Sequence, residues 1–345
     1  MATPIGVLTN PNSGKNRRNP ERLGDLERAV AGYGVVRQTR DLDELAGVIR
    51  EFVELGCRYW VVDGGDGTLH WLLSTAHRVA TEDDTTDAPW PMVVPANGGS
   101  IDFVAHKAGI RGQATDIVRE LVAALERGES PSSVELDTLL ITGDTLGGDV
   151  SFERIGFASA IGGVAQRFFD KLYQRDRVDA WGIMDVLAKA SAGGVAGSTP
   201  RPLRDVLVPS LQQYADDLFE PTRAKVEVDG KPLEFDSFSS LQVGSIDINL
   251  GGVVRTFRHA AECGVMHAQA ISSSRLGVVA NLPNIVLGTK IWGRDVFDGP
   301  VQELSAEAVG SSTLDPVIDG ELCFGLSRLR IRQGPKLRIP AVCSA

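Results

Sequence analysis

The stretch Val61-Val62-Asp63-Gly64-Gly65-Asp66-Gly67-Thr68 decides how this 345-residue chain is read. It follows the apolar run Arg58 to Val62 and precedes a segment, Leu69 to Ala80, that reads as a helix, so it is a turn from strand to helix. Gly64, Gly65 and Gly67 leave bare backbone N–H groups able to approach phosphate oxygens at a helix N-terminus, which favours negative charge. Asp66 changes the meaning. A carboxylate there repels phosphate unless a cation intervenes or it faces an acceptor hydroxyl, so metal binding or proton transfer is implied. The plainer alternative is a Gly-Asp turn that only joins strand to helix.

The same alternation extends to either side. Ile5 to Thr9 reads as a buried strand, Pro20 to Ala31 as a helix (Leu23, Leu26, Val30), and Val35-Val36 as the start of a second strand. Asp41 to Leu55 has helical spacing at Leu42, Leu45, Val48, Ile49 and Phe52. This βαβαβ pattern predicts a doubly wound α/β domain, a parallel sheet with helices on both faces and ligands at the carboxyl ends of the strands. Two further loops follow predicted strands. Asn10-Pro11-Asn12-Ser13-Gly14-Lys15 comes after the first, and Asn97-Gly98-Gly99-Ser100 after the fourth, Pro91 to Val94.

Beyond a helix ending near Gly128 the pattern changes to period two, at Val134 to Ile141, Lys225 to Val228 and Leu329 to Ile339, with turn signals at Gly143-Asp144 and Asp229-Gly230. The domain boundary is placed near Ser130, giving domains 1–130 and 131–345. The second is expected to be mainly β and sandwich-like, with helical pieces at Val164 to Tyr173 and Ile183 to Ala192. Ala192 to Pro202, small residues with two prolines, reads as a loop.

A formal charge of −10 argues against general nucleic-acid binding, which rests on Lys and Arg contacts to phosphate. Cys57, Cys263, Cys323 and Cys343 form no C-x-x-C pair, so neither a zinc site nor a disulfide framework is indicated. No histidine has metal-ligand spacing, and each is read as a surface or satisfied core group. Cys263 and His267, four apart, are read as packing rather than a dyad. A strand-like run begins almost at once, without a leader-like segment, and the longest apolar stretch, Leu276 to Gly288, is broken by Asn281, Pro283 and Asn284 and is too short to span a bilayer. The expected location is cytoplasmic, or peripheral at the inner face of the membrane.

Val61 to Thr68 resembles the GGDGT motif of the diacylglycerol kinase catalytic-domain family, which includes bacterial lipid kinases and sphingosine kinases. Asn10 to Lys15 is similar to that family's early N-P-x-S-G nucleotide loop, and Asp319-Gly320-Glu321 to its late D-G-E. The three occur in the family's order. Asn10 to Lys15 is not a Walker A loop, since it lacks the leading glycine and Asn16 stands where Ser or Thr would. Its nucleotide role therefore rests on the resemblance.

The resemblance implies an ATP- and Mg²⁺-dependent kinase acting on a hydroxyl of a membrane-resident lipid such as diacylglycerol, with the active site between a nucleotide domain and a β-rich domain. Asn10, Pro11, Ser13, Gly14, Lys15, Gly64, Gly65, Gly67 and Thr68 are assigned to the nucleotide, with Gly99 and Ser100 from the third loop. Asp66 and Asp319 are assigned to metal binding and acceptor activation, and Glu321 assists Asp319. The third loop departs from the family's P-x-G-T-x-N-D, reading Pro95 to Phe103 with one extra residue. It also resembles the N-x-G-x-L-G-F segment of NAD kinases, which carry GGDGT too. Phosphorylation of a soluble metabolite and a catalytically silent member of the fold remain the alternatives. Arg328, Arg330 and Arg332 fall on one strand face, either a solvated face or a seat for anionic headgroups.

Overall fold

Strands apolar on both sides need cover on both faces, and Ile5–Thr9 (β1) and Tyr59–Asp63 (β3) are buried at every position. The structure is a computed structural model describing residues 4–86, 90–99, 101–148, 151–175, 180–197, 209–250, 252–310 and 312–341. In it these two strands pair in parallel at the centre of a four-stranded sheet. Gly34–Gln38 (β2) and Met92–Pro95 (β4) form the edges, in the order β2-β1-β3-β4. The chain steps one way from β1 to β2 and the other way from β2 to β3 and β4.

Right-handed crossovers then place Arg22–Val30 (α1) on one face and both Leu42–Glu54 (α2) and Asp66–Glu82 (α3) on the other. The contacts agree. After β4 come the short helix Phe103–Lys107 (α4) and Ala114–Glu126 (α5); α5 packs on α1, and α2 packs on α3. The direction of travel reverses between β1 and β3, which makes the carboxyl ends of these strands the switch point where open α/β sheets bind ligands. Helix α2 is capped by Asp41, whose side chain accepts from the amides of Asp43 and Glu44. Its Phe52 lies so close to β1 that a side chain at Gly6 would stand 2.7 Å from the ring.

The chain divides into two compact units, Met1–Leu136 with Pro335–Ala345, and Asp137–Gly334. The C-terminal segment is counted with the first because Leu337–Pro340 pairs antiparallel with Ser133–Leu136 (β5), and Arg338 Nη2 donates to the Trp90 carbonyl at 2.9 Å beside β4.

Besides a small hairpin, Ile248–Leu250 with Val254–Thr256, the second unit contains two large antiparallel sheets. One runs in the order Lys231–Pro232, Thr222–Val228, Glu303–Ala308, Leu326–Gln333, Leu139–Thr145, Ser151–Gly156; the other Asp295–Val301, Met266–Ser272, Ser240–Gly244, Ala158–Gly163, Val317–Ile318, Glu321–Leu322. Inward residues of both, among them Leu139, Val226 and Leu329 from one and Ile161, Leu241 and Ala268 from the other, share one buried core, so the unit is the expected sandwich. It also carries more helix than expected: Val164–Tyr173 (α6), Ala180–Gly197 (α7), Pro209–Leu218 (α8) and Arg275–Leu287 (α9).

Two readings change and a third is settled. Ala192 to Gly197 is helix rather than loop, and Gly194 serves close packing within it: a Cβ there would meet Val279 Cγ2 at 2.6 Å. Residues 198–202 lie outside the described residues. Gly143-Asp144 lies within a strand, where a Cβ on Gly143 would stand 2.5 Å from the Arg328 carbonyl. Arg328 and Arg330 pair across strands with Glu307 and Glu303, which makes theirs a solvated face.

Within the sandwich, Asp298 is a buried hub accepting from His267 Nε2 (2.8 Å), Gln269 Nε2 (3.1 Å), Arg258 Nη1 (2.9 Å) and the Ile291 amide (2.8 Å). Burial alone would push its carboxyl up; the donors outweigh it and hold the group well below the usual carboxylate range. A depressed carboxyl stabilises the fold above its unfolded pKa of about 4 and loses that contribution as pH falls toward the folded value. Asp298→Asn is therefore expected to lower the thermal midpoint at pH 7 and to flatten its fall below about pH 4. An unchanged acid limb would contradict the hub's role.

Candidate active site

Three loops leave the carboxyl ends of β1, β3 and β4, and hydrogen bonds lace them together. The Asn10 amide donates to the Asp63 carbonyl (3.0 Å), the Lys15 amide to the Gly98 carbonyl (3.2 Å), and the Gly98 amide to the Gly64 carbonyl (3.0 Å). Asn10 Nδ2 reaches Thr68 Oγ1 at 3.0 Å. The second and third loops touch backbone to backbone: a Cβ on Gly65 would lie 2.9 Å from Gly99 Cα, and one on Gly99 2.4 Å from Gly65 Cα. Glycine is needed at both positions because no side chain fits between the loops.

Underneath lies Asp63, fully buried at the end of β3. Its carboxylate accepts from Thr9 Oγ1 (2.8 Å), Asn16 Nδ2 (3.1 Å), Arg22 Nε (3.1 Å) and Arg22 Nη2 (2.6 Å). Hydrogen bonding to Asp63, against the opposing effect of burial, raises the Arg22 pKa further above its ordinary value. Sequence reasoning assigned nothing to Asp63, Arg22 or Asn16. The signal was available, since a carboxylate closing an otherwise apolar central strand demands a cation or several donors.

Helix α3 begins at Asp66, not Leu69, so Gly67 and Thr68 form its first turn. Its N-cap is Gly65, which makes no side-chain capping bond, and the first-turn amides stand at the positive end of the helix dipole. Nearby in the first loop, Ser13 Oγ is buried without a hydrogen-bond partner among the described residues. Buried hydroxyls are usually hydrogen-bonded, so Ser13 Oγ has an acceptor or donor position open to a ligand. Asp66 turns its carboxylate to the third loop, accepting from the amides of Phe103 (3.1 Å) and Val104 (3.4 Å). Lys15 Nζ bonds Asp102 Oδ2 (2.9 Å) and the Asn97 carbonyl (2.8 Å), and Asp102 Oδ1 accepts from the Gly99 amide (2.9 Å).

The structure thus gathers Asn10, Pro11, Ser13, Gly14, Lys15, Gly64, Gly65, Asp66, Gly67, Thr68 and Gly99 into one loop cluster; Ser100 lies outside the described residues. Asp319 and Glu321 belong to the second unit. There Asp319 and Gly320 form the two-residue turn of a hairpin, both at positive φ (49° and 95°), as a type I′ turn requires. The Asp319 carboxylate accepts from the amides of Phe157 (3.0 Å) and Ala158 (2.9 Å), joining the hairpin to the strand beginning at Ala158. Glu321, half-buried, opens the strand after the turn.

A parallel sheet with a glycine-lined loop cluster at its switch point is the arrangement in which open α/β sheets bind their ligands. Residues 4–130 match the model of the diacylglycerol kinase catalytic domain. No curated protein matches the sequence. Among solved structures, a protein from Bacillus anthracis str. Sterne, provisionally given as a diacylglycerol kinase, aligns at 14% identity over 97% of this chain and 96% of its own, with a TM-score of 0.62. A diacylglycerol kinase from the same organism aligns at 13% identity over 99% and 98%, with a TM-score of 0.56. Both likenesses concern the fold. A yeast NADH kinase complexed with NADH aligns at 10% identity over 99% and 84%, but at a TM-score of 0.48 it is too distant to bear on this chain.

Removing one partner of a buried ion pair leaves the other charge uncompensated, at a cost of about 3–5 kcal/mol. Arg22→Met is expected to destabilise the protein by about that much in urea unfolding, and adding Asp63→Asn should recover part of the loss. Simple additivity of the two losses would contradict the pairing.

Proposed function

We propose that this chain is an ATP-dependent lipid kinase, transferring the γ-phosphate of ATP to a hydroxyl of a membrane-resident lipid such as diacylglycerol. The observation that carries the reading is the orphaned Ser13 hydroxyl in a loop that Asn10 ties to Thr68 in the first turn of α3, at the switch point of a domain matched to the diacylglycerol kinase family. Phosphoryl transfer asks a protein mainly to align donor and acceptor and to neutralise charge on the transferring group. The first-turn amides of α3, Ser13 Oγ and the backbone of Gly14 and Gly65 are the proposed phosphate donors. Lys15 is the proposed nearby cation, with Asp102 setting its position.

Mg²⁺ takes few protein carboxylates alongside phosphate oxygens and water. Among the described residues no three His, Cys, Asp or Glu side chains are grouped to hold a metal ion, and Asp66 is the carboxylate of the cluster that would contribute. The ion would supply charge neutralisation at the phosphoryl oxygens. Asp66, fixed in orientation by two amides, and Asp319, with Glu321 assisting, are the proposed carboxylates for metal binding and acceptor activation. An acceptor in the bilayer and ATP in solution put the reaction at the inner face of the membrane. In the third loop, Asn97 Nδ2 donates to the carbonyls of Ile110 (3.4 Å) and Gly112 (3.3 Å), so the residue that suggested an NAD kinase segment has a local structural task.

Incubation with labelled ATP and Mg²⁺, offering total lipid extract or NAD, is expected to put label into the organic phase; label on NAD, or no transfer, contradicts the reading. Asp66→Asn is expected to lower turnover on the order of 10²- to 10⁴-fold with the thermal midpoint kept, and normal turnover would remove Asp66 from the mechanism. Gly99→Ala should weaken ATP binding in calorimetric titration, because its Cβ forces the loops apart; unaltered affinity would show that the contact between the glycines does not shape the site.

A further inference from the structure

Two helices of the second unit each turn an uncharged face to solvent. On α7 the exposed residues Trp181, Met184, Ala188, Ala192 and Val195 recur at helical spacing on one side, while Ile183, Val186 and Ala190 are buried on the other. On α9 the exposed positions Leu276, Ala280, Pro283 and Leu287 do the same. The helices run antiparallel: Ile183 and Leu187 share a cluster with Ile285 and Val286, and Ala190 shares one with Val278. The start of α7, with Trp181 82% exposed, therefore lies toward the end of α9, where Leu287 is 66% and the following Trp292 67% exposed. Apolar surface left open on this scale marks an interaction site.

Charge selects the occupant. In a chain of net charge −10, the 20 residues from Arg275 to Arg294 contain three cations and no Asp or Glu. Arg275 pairs with Asp216. Lys290 and Arg294 have no acidic partner among the described residues, and Lys290 Nζ lies 5.4 Å over the Trp292 ring. Tryptophan, apolar helix face and adjoining lysine or arginine are the composition of a surface that lies in a bilayer interface. A two-fold contact of this stretch with its own copy would set cation against cation, since Arg275 to Arg294 carries no acid. No helix among the described residues is long and apolar enough to cross a membrane.

We propose that the paired faces of α7 and α9, with Trp292, Lys290 and Arg294, dock this protein on an anionic bilayer. The proposal deepens the lipid-kinase reading and rests on it for its purpose, but its test needs no turnover. Full-length protein is floated, without ATP, with vesicles of phosphatidylglycerol and phosphatidylcholine, and with phosphatidylcholine alone. Binding to the anionic vesicles is expected, weakened about thirty-fold in Lys290→Gln/Arg294→Gln and lost in Trp181→Ser/Leu287→Ser, with thermal midpoints unchanged since all four side chains are exposed. Absence of wild-type binding, or equal binding by the variants, overturns the proposal. So does a dimer in sedimentation that Trp181→Ser/Leu287→Ser dissociates. Phosphorylation of a water-soluble short-chain diacylglycerol, measured without vesicles, separates the two readings. If it proceeds while docking fails, only the surface falls; if docking holds without transfer to any lipid, the kinase reading falls.

Discussion

The carboxylate of Asp63 is buried completely, and such a charge persists only where donors surround it. Those donors come from β1, from the loop after it and from α1. One side chain at the end of β3 therefore fixes where the first loop leaves the sheet relative to the glycine turn that follows. The first loop in turn holds the third through Lys15, and the third meets the second where only glycine fits. The phosphate-facing geometry proposed for this cluster depends on that chain of contacts.

Much of the first unit was legible because its signals are local. Fully apolar strands, helical spacing such as Leu45, Ile49 and Phe52, and glycine turns at strand ends give the element order, and right-handed crossovers then leave one sheet order and one switch point. The start of α3 was read three residues late, because Gly67 and Thr68 are poor helix formers whose place in the first turn is decided by the loop contacts around them. What pairs with Asp63 was not legible: Arg22 lies 41 residues away in sequence, and no period links them.

In the second unit, period two revealed strands but not their partners. The return of Leu337–Pro340 to β5 is a long-range pairing that alternation alone cannot specify. Ala192 to Gly197 misled for a physical reason: the small residues that mark loops also let helices approach closely. Asp319-Gly320 was legible as a turn, and its carboxylate binds backbone amides across the sheet. The unit thus combines a closed sandwich core with helices whose outer faces carry exposed apolar residues.

The central claim is that the three loops of the first unit hold the phosphates of a nucleotide. Crystals grown with Mg²⁺ and a non-hydrolysable ATP analogue test it directly. The account predicts phosphate density within hydrogen-bonding distance of Ser13 Oγ and the amides of Gly67 and Thr68. Phosphates bound elsewhere on the chain, with Ser13 still unpartnered, would contradict it.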